Sequence, residues 1–156
     1  MSNNLDFARN LVKGRIAETI FAQMFRDTGN YTVLEFGYEK VIPELVRQNY
    51  NHENPVIESL RVAPDFAVIN QDTKEVRLIE VKYRVRLDPS EIKKTAEKMH
   101  QSWNPSYLFI ATLKGFYFDE ITRIIDCNGY IAPLVDISKE IQSEYLEILK
   151  DFEKKT

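Results

Sequence analysis

The chain has 156 residues, 44% hydrophobic and 29% charged, with a net charge of −3 and a single cysteine, Cys127. This balance fits one ordinary domain with a substantial core, excludes an intramolecular disulfide and, with no apolar run near the ~20 residues of a membrane span, excludes a transmembrane helix. No basic segment followed by an apolar run opens the sequence, so a reducing, cytoplasmic setting is the expectation.

A proline-free stretch from residue 5 to about residue 28 predicts the first helix. Its stripe Phe7, Leu11, Gly14, Glu18, Phe21, Phe25 is apolar except at Glu18. A carboxylate in an apolar stripe is costly unless paired or bound to a cation. Glu18 is therefore a candidate functional acid, the alternative being a stripe-edge residue that reaches water. Gly14, a poor helix former, suggests close approach of another group to the backbone. Tyr31-Thr32-Val33-Leu34-Glu35-Phe36 reads as the first strand, ended by Gly37. Residues 38–60 read as an insertion, with a short helix opening at Pro43 and His52 in a polar loop rather than serving as a ligand.

Two β-rich runs follow, Pro64-Asp65-Phe66-Ala67-Val68-Ile69-Asn70 and Val76-Arg77-Leu78-Ile79-Glu80-Val81-Lys82-Tyr83, joined by the polar bend Gln71-Asp72-Thr73-Lys74. They predict an antiparallel hairpin. If Gln71 faces Lys74, partners sum to 145 and Asp65 falls opposite Glu80, on the face that Lys82 also shares. Like charges in that position destabilise a sheet unless a cation or a raised pKa compensates. A divalent ion is the simplest compensation: carboxylate oxygens suit Mg²⁺, which keeps sites for water and substrate phosphate. Lys82 would then hold the attacking water, or steady the extra negative charge on a phosphorus undergoing displacement. The competing interpretation is a hairpin edge with solvated charges.

Between Lys82 and His100 the cations Lys82, Arg84, Arg86, Lys93, Lys94 and Lys98 outnumber the acids, a local basic surplus in an acidic chain. Asp88-Pro89-Ser90-Glu91 reads as an N-cap, first-turn proline and capping-box acid. The second helix buries Ile92, Ala96, Met99 and Trp103 and leaves Lys94 and Lys98 a turn apart on another face. Tyr107-Leu108-Phe109-Ile110-Ala111-Thr112 suits a central buried strand. Gly115-Phe116-Tyr117-Phe118 and Ile121-Thr122-Arg123-Ile124-Ile125 predict a further hairpin or edge, and Asp126-Cys127-Asn128-Gly129 a turn. Ser138 caps a last helix with Ile141, Tyr145, Ile148, Leu149 and Phe152 on one side, for core packing or, alternatively, a dimer surface.

Pro64-Asp65 with Glu80-Val81-Lys82 resembles the signature of the PD-(D/E)xK nuclease superfamily. Lys13-Gly14-Arg15-Ile16-Ala17-Glu18 is similar to the first-helix motif of its archaeal Holliday junction resolvase branch. The resemblance spans roughly residues 8–112. It implies a restriction-endonuclease-like α/β fold, a mixed central sheet flanked by helices in the order α-β-β-β-α-β, with a core over about residues 5–112 and a C-terminal extension over 113–156. It implies Glu18, Asp65, Glu80 and the Val81 carbonyl as ligands to Mg²⁺, with Mn²⁺ as substitute, and Glu18, Asp65, Glu80 and Lys82 as the catalytic set. The expected activity is metal-dependent hydrolysis of phosphodiester bonds in double-stranded or branched DNA. Lys13, Arg15, Arg84, Arg86, Lys94 and Lys98 are the expected nucleic-acid contacts, and a homodimer is a further expectation. The alternatives are a junction-specific resolvase, or a catalytically idle nuclease fold that binds nucleic acid or protein.

Overall fold

The computed structural model describes residues 3–36 and 63–155. The 38–60 insertion, Gly37, Pro43 and His52 lie outside the described residues. Five strands form one mixed sheet, β1 (Tyr31–Glu35), β2 (Phe66–Asn70), β3 (Val76–Tyr83), β4 (Tyr107–Thr112) and β5 (Gly115–Glu120), ordered as numbered. All neighbouring pairs are antiparallel except β3 with β4. Helices α1 (Asn3–Asp27), α2 (Pro89–Ser102), α3 (Ile121–Asp126) and α4 (Lys139–Lys155) flank it. None of the described helices is long and apolar enough to cross a membrane.

The β2–β3 hairpin takes the predicted register: Phe66 pairs with Ile79, Ala67 with Leu78, Val68 with Arg77 and Ile69 with Val76. Its bend is held by the Asn70 side chain, whose Oδ1 accepts from the backbone N–H groups of Asp72 and Thr73. The parallel β3–β4 pair needs a crossover, which α2 supplies. Asp88 caps α2 by accepting from the N–H groups of Ser90 and Glu91, with Pro89 at its first turn. Period-two alternation divides β4 between two cores. Phe109 and Ala111 join Phe21, Phe25, Phe66, Ile79 and Val81 beneath α1 and α4. Leu108 and Ile110 pack against Ile92, Ala96 and Met99 of α2 and Ile121 and Ile124 of α3.

Two expectations are corrected. Ile121–Asp126 is helical, not a strand. Strand spacing would bring Arg123 to the same face as Ile121 and Ile125, whereas helical spacing buries Ile121 and Ile124 and leaves Arg123 exposed. The α1 stripe is core only in its second half: Ala17, Ile20, Phe21, Met24 and Phe25 are buried, while Phe7 is 70% exposed and Leu11 is also exposed. A 25-residue helix runs about 37 Å, longer than the roughly 26 Å that the eight residues of β3 cover, so its N-terminal turns project past the sheet. In the last helix Leu149 is buried, but Ile148 and Phe152 are exposed.

Candidate active site

The site begins with an aromatic contact. Phe21 of α1 packs against Phe66 of β2, ring centroids 5.0 Å apart. Glu18 precedes Phe21 by one helical turn and Asp65 immediately precedes Phe66, so this buried contact carries one carboxylate toward the other. Asp65 is further fixed at its backbone, where its carbonyl accepts from the Phe36 N–H at 2.8 Å, and by the fully buried Pro64 before it. Its carboxylate Oδ2 accepts from the Val81 N–H at 2.8 Å, tying the start of β2 to the β3 residue between Glu80 and Lys82. Ile79 and Val81 belong to the core beneath α1. Alternation therefore turns Glu80 and Lys82 away from that core.

Glu18, Asp65, Glu80, Val81 and Lys82 line one cavity of about 550 Å³, with Gly14, Lys13, Arg15, Tyr83, Arg84 and Glu91 also in its wall. A smaller cavity of about 280 Å³ adjoins it, sharing Arg15, Glu18 and Asp65 and adding Gln23, Arg26 and Glu35. Burial pushes the Asp65 carboxyl up to about 8, and the neighbouring Glu80 carboxyl, as hydrogen-bond partner and as charge, pushes in the same direction. The Val81 N–H and the contact with Glu18 favour the ionised form and are outweighed. As the side chains stand, no group of three or more His, Cys, Asp or Glu among the described residues is arranged to close round a metal ion. The donor set is nonetheless of the hard-oxygen kind that Mg²⁺ takes.

The expected nucleic-acid contacts divide into groups. Lys13, Arg15 and Arg84 line the cavity, whereas Arg86, Lys94 and Lys98 are exposed outside it. Two of the lining cations are taken by acids from flanking helices. Lys13 Nζ lies 2.9 Å from Glu153 of α4, and Arg84 Nε 2.5 Å from Glu91 of α2. Tyr83 donates its hydroxyl to the second oxygen of Glu153 at 3.3 Å and lies beneath the Lys13 ammonium. Tyr83, Glu91 and Glu153 were not predicted as part of this surface. Tyr83 follows Lys82 directly and carried a signal in retrospect; Glu153 lies 140 residues from Lys13 and carried none. Gly14 is also corrected: a Cβ there would meet nothing within 4 Å, so it admits no close neighbour and instead opens onto the cavity. No protein-family model matches the chain, and no curated protein is similar enough in sequence to indicate a relative.

Proposed function

We propose that this protein is a PD-(D/E)xK-type endonuclease that hydrolyses phosphodiester bonds in DNA with Mg²⁺ or Mn²⁺. The observation that carries this reading is the convergence on one cavity of Glu18, Asp65, Glu80 and Lys82, drawn from α1, the start of β2 and the end of β3. A solvated hairpin edge would not bury Asp65 against a second carboxyl, and a helix acid there only for packing would not reach the same patch. Glu18, Asp65, Glu80 and the Val81 carbonyl would hold the ion, which when bound would polarise the phosphate and lower the pKa of water. Lys82 lines the same cavity as the carboxylates, where its ammonium would stabilise negative charge developing on the phosphoryl oxygens. The Val81 N–H keeps the Asp65 carboxyl oriented through the reaction.

The motif set makes a four-way junction the first substrate to try. Labelled junctions, duplexes, flaps and single strands are incubated with Mg²⁺, Mn²⁺ or EDTA. Cleavage of at least one substrate with either ion, abolished by EDTA, is expected; uncut substrates in every arm would refute the catalytic reading. A binding module without turnover is favoured by the side chains as they stand, in which no three acids among the described residues close round an ion. It predicts retention of a substrate in the same panel without cutting.

A further inference from the structure

Glu153 presents its two carboxylate oxygens to two different donors: Oε1 faces the Lys13 ammonium at 2.9 Å and Oε2 faces the Tyr83 hydroxyl at 3.3 Å. Lys13 and Tyr83 also interact with each other, the ammonium lying 5.7 Å from the ring centroid. Both line the cavity that holds Glu18, Asp65, Glu80 and Lys82. The pair is a part-buried one, with the Lys13 and Glu153 side chains 21% and 28% exposed, so it is better formed than a solvated surface contact. One ammonium and one phenol that each take one oxygen of an anion form a receptor for any planar-pair oxyanion, and the two non-bridging oxygens of a phosphodiester present the same pattern. Glu153 comes from the C-terminal helix, 140 residues away in sequence from Lys13, and reaches two residues of the cavity wall.

We infer that Lys13 and Tyr83 form a phosphate subsite flanking the reacting phosphate, and that Glu153 occupies it in the free protein as an internal stand-in for the substrate backbone. Binding is then an exchange: a nucleic-acid phosphate replaces the Glu153 carboxylate, which turns out to solvent from the last turns of α4. The exchange taxes every substrate by the strength of the internal pair and favours those with a phosphate positioned at the subsite. The inference rests on the proposed function for the identity of its ligand, but the oxyanion receptor itself does not.

The test is a double-mutant cycle on Lys13 and Glu153, read by binding of a labelled DNA duplex in EDTA so that cleavage does not intervene. Glu153→Gln should tighten binding about threefold to tenfold, and this gain should disappear in the Lys13→Gln background. Glu153→Asp, which keeps the charge but is too short to reach both donors, should tighten binding in the same direction and serves if Glu153→Gln folds poorly. Unchanged affinity, or equal tightening with and without Lys13, would overturn the inference and leave the proposed function standing. If no form of the protein binds any nucleic acid, the proposed function fails instead. The receptor is then judged with inorganic phosphate, followed by NMR of the Lys13 ammonium. A phosphate-dependent shift in Glu153→Gln that is weaker in wild type upholds it, and no shift in either overturns it.

Discussion

Asp65 carries the strongest single expectation. Its folded-state pKa lies above the ordinary carboxyl value because it is buried against Glu80, with Glu18 of α1 and Lys82 of β3 facing the same cavity. Between about pH 4 and pH 8 the native protein therefore binds more protons here than the unfolded chain, and stability from this group is full at low pH and lost as pH rises through that window. In EDTA, Asp65→Asn should remove this slope and raise the melting temperature at pH 8, by about 1–3 kcal/mol of stability, because the amide oxygen still accepts from Val81 N–H while the buried charge is gone. Cleavage should be abolished. Thermal melts of both proteins across pH 5 to 8.5 check the slope; parallel curves would mean that the carboxyl is not strained. Lys82→Ala should behave otherwise, losing turnover by ~100-fold or more while duplex affinity in Ca²⁺ stays within about threefold, since its charge matters in the transition state. Equal losses in rate and affinity would make Lys82 a binding residue.

Among the secondary-structure elements, the hairpin was the most legible in the sequence and the long helix the least. The polar bend and β-branched alternation on both sides fix the β2–β3 register locally, so the meeting of Asp65 with Glu80 follows from residues fewer than 20 apart. The α2 cap is equally local. Periodicity along α1, however, says which side is apolar and not where the sheet beneath it stops, so Phe7 and Leu11 read as core although they lie beyond it. The 121–125 run failed for a related reason: β-branched residues favour strands only weakly, and the burial of Ile121 and Ile124 against α2 decided the matter. Gly14 gives α1 a direct test. With open space at its Cβ position, Gly14→Ala should stabilise the protein by about 0.5–1 kcal/mol through helix propensity, measured by urea unfolding. Destabilisation would show a close neighbour there after all. On α2, Lys94 and Lys98 follow the cavity-lining Glu91 at three and seven positions, which places them on the same face of the helix as Glu91, exposed one and two turns beyond it. Changing both to Glu should weaken duplex binding about uniformly across sequences and flatten the log–log salt slope by roughly two units. An unchanged slope would remove α2 from the binding surface.

For the molecule as a whole, the proposed function asks a chain of net charge −3 to hold a polyanion. Much of the answer lies in where the acids sit. Glu18, Asp65 and Glu80 line the cavity, where a bound cation would neutralise them, and Glu91 and Glu153 are paired with the wall cations Arg84 and Lys13, so the charge of these five acids is one that local cations offset. Composition reports their sum and cannot report this placement, because α1, β2, β3, α2 and α4 are brought together only by the sheet order and the parallel β3–β4 pairing. A cation that binds this cluster in the folded state alone must stabilise the fold by mass action, by about 2.7 kcal/mol at a hundredfold excess over its dissociation constant. Mg²⁺ should therefore raise the melting temperature of the wild-type protein at pH 8 with a saturating dependence on concentration. The same titration on the Asp65→Asn, Glu80→Gln double variant should give no saturable shift, although both proteins keep the remaining surface acids. Since general ionic screening acts on those surface acids equally in both, an Mg²⁺ effect of the same size in the two proteins would assign the stabilisation to screening and leave the carboxylate cluster without a metal.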